Sequence, residues 1–254
     1  ENHEPFHWLV DFYGIIKNGG FNAIIGNPPY IEYSQIKEKY SLDHYETLTS
    51  GNLYAYLIER SFSICQNEGR IGMIVQLPIV CTDRMKPLQK LCLEKSNALW
   101  FSNFDDRPGR LFEGLEHIRA TILISESSIQ KKTPHELFTT KYNRWYSEQR
   151  DYLFQQLEFT NISGYTTEGS IPKVGSNLSL SIINKIKTNT QLGKSLVRIG
   201  GHPAFFHNAP QYWVRATNFA PYFWNERDGE QISTQVKKLF FSTEQNALSA
   251  IAVL

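Results

Sequence analysis

Four consecutive residues, Asn27-Pro28-Pro29-Tyr30, combine side chains that could act on a weakly nucleophilic amine. An exocyclic amine on a purine delocalises its lone pair into the ring and attacks poorly. If the Asn27 side-chain carbonyl and the Pro28 backbone carbonyl each accept one amine hydrogen, the nitrogen is drawn toward tetrahedral geometry. Its lone pair is then aimed at an electrophilic methyl group, and no general base is needed. The prolines fix φ and carry no N–H, so the loop presents carbonyls in a rigid frame. Tyr30 offers a ring face on which an extruded base can stack. The same four residues also describe an ordinary loop that ends a strand, since proline commonly follows strands and tyrosine packs at loop bases.

The elements around this loop must hold it in place. Phe21 to Gly26 is a short apolar run between Gly19-Gly20 and the prolines, which predicts a buried strand ending at Asn27. Ligand sites form at such strand ends in open α/β sheets. Leu53, Leu57, Ile58, Phe62 and Cys65 recur at helical spacing over 52–66, with Asn67-Glu68-Gly69 as the stop. Ile71 to Leu77 predicts a second strand, Leu88 to Cys92 a short helix, Ala98 to Phe104 a third strand and Ile118 to Ile124 a fourth. Strand and helix alternate as in a doubly wound α/β sheet.

The 254 residues suffice for one large domain or two modest ones, and 41% hydrophobic with 20% charged residues excludes collagen-like, low-complexity and wholly disordered classes. Cys65, Cys81 and Cys92 lack metal-ligand or Cys-x-x-Cys spacing and read as reduced core residues of a cytoplasmic protein. No apolar run reaches the roughly 20 residues of a membrane helix, so no membrane partner is expected.

The formal charge of +1 hides an asymmetry. Residues 1–130 hold 12 basic and 16 acidic side chains, while residues 131–254 hold 14 basic and 9 acidic ones. The texture changes near residue 130, where a domain boundary is placed, and the second segment is expected to face something anionic. That segment also carries Phe205, Phe206, Tyr212, Trp213, Phe219, Tyr222, Phe223 and Trp224 among Arg215 and Arg227. These read first as a β-rich core, with stacking on nucleic-acid bases as the alternative. Lys141, Arg144, Lys173 and Arg215 are the candidate phosphate contacts. Asp105-Asp106 reads as a solvated turn rather than a metal site, and Ser233 to Phe241 and Thr243 to Leu254 as a last strand and helix.

Phe6-His7-Trp8 followed by Gly19 through Ile31, with its Asn-Pro-Pro-Tyr core, resembles the catalytic neighbourhood of adenine-specific DNA methyltransferases of restriction-modification systems that carry their own target recognition domain. Gly69 to Val75 and the helix with Tyr54, Tyr56 and Leu57 are similar to the family's next elements. The resemblance implies methyl transfer from S-adenosylmethionine to the exocyclic amine of an adenine flipped out of double-stranded DNA. It further implies that Leu111-Phe112-Glu113 brings Phe112 against the base opposite Tyr30, that residues 1–130 are the distal half of a Rossmann-like methyltransferase sheet, and that residues 131–254 begin an α+β target recognition domain.

The sequence departs from that family in one respect. A complete enzyme binds its cofactor on a glycine-rich turn after the first strand, and Gly14 and Gly19-Gly20 neither follow a strand nor have the spacing. The chain thus reads as an internal portion of a longer polypeptide whose remainder supplies the cofactor half upstream of Glu1. Two alternatives stay open: a protein-glutamine or RNA adenine methyltransferase, and a non-catalytic DNA-recognition module.

Overall fold

The computed structural model describes residues 8–253 except 40, 43, 113–116, 129–135 and 209–214. Two short helical turns, α1 (Trp8–Asp11) and α2 (Tyr13–Lys17), precede β1 (Phe21–Gly26). Then come α3 (Leu53–Ile64), β2 (Cys65–Gln76), α4 (Pro78–Cys81), α5 (Lys86–Glu94), β3 (Ser96–Phe104), β4 (Ala120–Ser127), β5 (Glu136–Asn143) and β6 (Thr160–Asn161). These strands form one mixed sheet in the order β1-β2-β4-β3-β5-β6.

β1 pairs with β2 in parallel and β3 with β5 in parallel, while β4 runs antiparallel to both β2 and β3. Hydrophobic periodicity carries no strand direction, which is why alternation alone could not reveal the reversed β4. Helices α3 and α5 pack against β2 and β3 and against each other, so they cover one and the same face. Ile71, Val75, Leu99, Phe101 and Leu123 are fully buried, each contributing about 2 kcal/mol of burial.

Local signals explain the individual elements. Asn52 caps α3 by accepting the Tyr54 amide on its side-chain oxygen. The helix stops at Ile64, and β2 begins at once, earlier than the Asn67-Glu68-Gly69 stop suggests. Those three residues instead form an irregularity in β2, where the register jumps from Phe21–Cys65 to Ala23–Arg70 and Glu68 takes φ 63°. Gly20 has φ 109°, and its α-carbon lies so close to the Ile64 carbonyl and the Gln66 amide that a side chain would collide. This close approach seats β1 beside the α3–β2 junction.

Three expectations are corrected. β1 is an edge strand, not a buried one: none of its residues is buried, and Ile25 is 88% exposed. Nothing among the described residues pairs with its outer side. Cys65 and Cys92 are buried, and burial pushes the Cys92 thiol up to about 12, but Cys81 is exposed at the end of α4. The aromatic stretch is a core only in part. Phe205 is buried, whereas Phe219, Tyr222, Phe223 and Trp224 are exposed, because the hairpin that follows has only two residues per strand and encloses nothing. Tyr212 and Trp213 lie outside the described residues.

Two compact units are present, Glu1–Ile182 and Ile183–Leu254. The expected boundary near residue 130 lies outside the described residues, and β5 and β6, which follow it, extend the same sheet of the first unit. Helix α6 (Asn177–Lys187) spans the junction. The second unit holds β7 (Leu196–Val197), β8 (His202–His207), β9 (Ala216–Thr217), the hairpin β10 (Trp224–Asn225) and β11 (Gly229–Glu230), β12 (Val236–Phe241) and α7 (Glu244–Val253). Its four-stranded sheet has the order β7-β12-β8-β9, with Phe241, Ala204, Ala247 and Ala250 as core. No helix among the described residues is long and apolar enough to cross a membrane.

Candidate functional site

Asn27 follows directly on β1, at the end where β2 also terminates, because the two strands are parallel. Asn27 is exposed, Pro28 buried, Pro29 exposed and Tyr30 half-buried. The Tyr30 hydroxyl lies within hydrogen-bond distance of two acceptors, the Asn27 side-chain carbonyl at 3.0 Å and the Ile74 backbone carbonyl at 3.1 Å. Its one proton is therefore shared between them. The Tyr30 ring stands edge-on to Tyr54, with centroids 6.3 Å apart and planes at 89°. Burial raises the Tyr30 phenol above its ordinary range, so it stays a neutral donor.

The segment after Tyr30 is tied to the start of α3. The Leu53 amide donates to the Ile31 carbonyl at 2.9 Å and the Tyr33 amide to the Gly51 carbonyl at 2.8 Å. Glu32 accepts from Arg84 Nη2 at 2.7 Å and from Asn52 Nδ2 at 3.2 Å. The Arg84 guanidinium, ahead of burial and the Asn52 bond, sets the direction in which the Glu32 carboxyl is held, below its usual range. Tyr54, at the other side of the Tyr30 ring, is fully buried and donates to Met85 Sδ at 3.4 Å. The Asn27-to-Tyr30 loop is thus fixed by β2, by the α3 cap and by the turn that carries Arg84. Sequence reading missed Glu32, Asn52 and Arg84. Only Asn52 left a signal, as a capping residue just before an apolar helical repeat.

The same end of the sheet, beyond β3 and β5, holds a second group of side chains. Asp105, directly after β3, is buried rather than in a solvated turn, with its side chain 3% exposed. It accepts from the Tyr142 hydroxyl at 2.7 Å, from Arg144 Nε at 2.8 Å and from Arg119 Nε at 3.4 Å. Burial pushes its carboxyl up, but the bonds from Tyr142, Asp106 and Arg144 outweigh it and hold the group at about 2. Beneath it, the buried Asn103 side chain bonds to Thr139, Thr140 and Thr121, tying β3, β4 and β5 together.

The other sequence candidates scatter. Phe112 is half-buried in the loop between β3 and β4, where neighbouring Leu111 packs on Phe104, Trp145 and Leu153. Glu113 lies outside the described residues, as do Phe6 and His7. Exposed Lys141 lies on β5, in contact range of Gly175, two residues from exposed Lys173. Arg144 is engaged with Asp105, and Arg215 is exposed in the second unit. A cavity of about 250 Å³ lies between the ends of β2 and β4, lined by Gln76, Leu77, Pro78, His117 and Arg119 among others. A larger one, about 670 Å³, runs along α5 beside Thr166–Gly169 and touches none of the motif residues.

Comparison with known proteins finds a similarity over the first part of the chain. Residues 1–109 match the model of the Eco57I restriction-modification methylase family. A Methanocaldococcus jannaschii protein, named for type II restriction enzyme and methyltransferase activities, is 35% identical over 109 residues, which is 41% of this chain and 9% of that protein. The chain therefore spans less than a tenth of this relative. Among solved structures, a nuclease-deletion mutant of the Type ISP restriction-modification enzyme LlaGI with a DNA substrate mimic aligns at 17% identity and TM-score 0.46, over 63% of this chain and 19% of that one. The ATP-dependent Type ISP enzyme LlaBIII bound to DNA aligns at 14% identity and TM-score 0.43, over 63% of this chain and 13% of that one.

Proposed function

Taking residues 1–109 as a segment of the restriction-modification methylase family, we propose that this chain is part of an adenine-specific DNA methyltransferase that uses S-adenosylmethionine. Carrying the reading is the Asn27-to-Tyr30 loop, held at the shared end of β1 and β2 with a tyrosine hydroxyl on the asparagine carbonyl. A carbonyl oxygen has two acceptor positions. Tyr30 takes one, which orients the amide, and the other is left for one hydrogen of the substrate amine. Pro28 supplies the second acceptor through its backbone carbonyl. The two bonds strengthen as the nitrogen becomes tetrahedral and positively charged, so they favour the transition state over the planar amine.

On this reading Tyr30 and Phe112 sandwich the extruded base, and Lys141, Arg144, Lys173 and Arg215 contact DNA phosphates. The sheet is the distal half of a Rossmann-like methyltransferase sheet, and a target recognition region follows. The residues present do not fit the cofactor. Gly19 and Gly20 take positive φ ahead of β1 rather than after a strand. No step is therefore assigned to the cofactor through residues of this chain. We place the cofactor half in the remainder of a longer polypeptide, and the open outer side of β1, with Ile25 88% exposed, supports that placement.

The experiment is identification of the methylated product. The longer protein is incubated with duplex DNA and methyl-labelled S-adenosylmethionine, the DNA is digested to nucleosides, and the label is expected on the adenine exocyclic nitrogen. Label on a glutamine side chain of a protein acceptor, on RNA alone, or nowhere would replace this reading with the corresponding alternative.

A further inference from the structure

Three arginines converge on one largely buried pair of carboxylates at the end of the sheet where Asn27 sits. Arg144 reaches Asp105 through Nε at 2.8 Å, Arg119 reaches Asp105 and Asp106 through Nε at 3.4 and 3.5 Å, and Arg107 lies 3.8 Å from Asp106 through Nε. The carboxylate side chains are 3% and 9% exposed, whereas Arg107, Arg119 and Arg144 remain 71%, 58% and 72% exposed. The acids are therefore at the bottom and the guanidinium groups at the surface.

Three positive charges on two negative ones leave an excess of one. Asp105 also accepts from the Tyr142 hydroxyl, and the Tyr142 ring lies under Arg119 at 5.8 Å. Arg107 Nη2 donates to His117 Nδ1 at 2.9 Å. Hydrogen bonds through Nε hold Arg144 and Arg119, and one through Nη2 holds Arg107; such ties remove part of the rotamer freedom that an arginine otherwise loses on binding, and an ordered guanidinium is suited to phosphate oxygens.

The place is informative as well. Tyr30 is anchored to the Ile74 carbonyl, and the Leu77 amide donates to the Arg119 carbonyl at 2.9 Å. Ile74 and Leu77 are three residues apart along β2 and its end, a separation of about 10 Å. Phe112 belongs to the same connection, between Asp105 and Arg119. Asn27 and the arginines thus lie at the same end of the sheet, with the ends of β2 and β4 between them.

We propose that Arg107, Arg119 and Arg144, steered by the largely buried Asp105–Asp106 pair, bind a backbone phosphate of duplex DNA next to the nucleotide whose base enters the Asn27 site. The proposal rests on the methyltransferase reading for the identity of the neighbouring base, and its test is independent of methyl transfer. Binding of the whole chain to a mixed-sequence DNA duplex is measured over a range of salt concentrations for the wild type and for Arg107→Gln, Arg119→Gln and Arg144→Gln. Melting is followed in parallel.

Each variant that loses a phosphate contact is expected to flatten the plot of log affinity against log salt by about 0.9, while Lys237→Gln, on β12 of the second unit, leaves this increment intact in combination with each of them. Unchanged slopes in folded variants, with or without a lower melting temperature, overturn the proposal and leave the cluster a structural tie. Arg107 has the loosest carboxylate link, so its variant decides the matter if either of the others fails to fold. Equal binding and equal slope loss with single-stranded RNA overturn the assignment to duplex DNA. A chain that binds duplex through these arginines while the longer protein leaves adenine unmethylated would separate this proposal from the methyltransferase reading.

Discussion

The Tyr30 hydroxyl sits 3.0 Å from the Asn27 side-chain oxygen, and both are held to β2 by the second contact of that hydroxyl, to the Ile74 carbonyl. The aromatic residue of the motif is therefore also the residue that sets the asparagine amide. Tyr30→Phe keeps the ring and removes the donor. A neutral hydrogen bond contributes about 1 kcal/mol, so the variant of the longer protein is expected to lose roughly fivefold to tenfold in methyl transfer. Tyr30→Ala, which also removes stacking, is expected to lose more. Single-turnover rates on duplex DNA check both, and equal rates for Tyr30→Phe and wild type would remove the positioning role.

Arg84 and Glu32 pin the far end of the loop from partly exposed positions, with side chains 47% and 38% exposed. Such a pair adds little to stability, of order 0.5 kcal/mol. Arg84→Ala is expected to leave the melting temperature nearly unchanged while lowering the transfer rate, because the tie to the α3 cap is lost and the loop carbonyls lose their fixed direction. Melting and rate measured on the same preparation check this.

Asp105 predicts an acid limb in stability. Its folded value of about 2 lies below the ordinary 3.8, so the unfolded chain binds the proton more readily. The resulting stabilisation is present in full above that ordinary value and is lost as pH falls through the folded one. Roughly 2 kcal/mol is at stake. Asp105→Asn is expected to be less stable at neutral pH and to show a shallower loss toward low pH. Denaturant titrations at several pH values check the slope.

Ile25 reports on what covers β1. At 88% exposure in this chain, Ile25→Asp is expected to shift stability by no more than about 0.5 kcal/mol. In the longer protein, where we place further sheet and the cofactor half on this side, the same change puts a charge into an apolar contact and is expected to cost several kcal/mol. Parallel denaturation of the two forms gives the comparison.

Much of this site could be read from local sequence. Gly19-Gly20, the apolar run and Pro28-Pro29 bracket β1 and place Asn27 at its end, because chain punctuation acts over a few residues. The Asn52 cap and the apolar spacing locate α3 for the same reason. What escaped was non-local. Asp105 looks like half of a solvated acidic turn until Tyr142 and Arg144 arrive from β5, 37 and 39 residues away. The reversed direction of β4 and the exposure of β1 depend on which strands are neighbours, which periodicity does not encode. Phe219, Tyr222, Phe223 and Trp224 have core composition, yet only the extent of the surrounding sheet decides that they are exposed.

The most direct measurement is the single-turnover rate of methyl transfer to duplex adenine by the longer protein with Asn27→Ala. Asn27 is exposed, so folding and DNA affinity should be retained, while removal of one oriented acceptor is expected to lower the rate by about 100-fold to 1,000-fold. A folded Asn27→Ala protein that methylates adenine at the wild-type rate would contradict the role assigned to this loop.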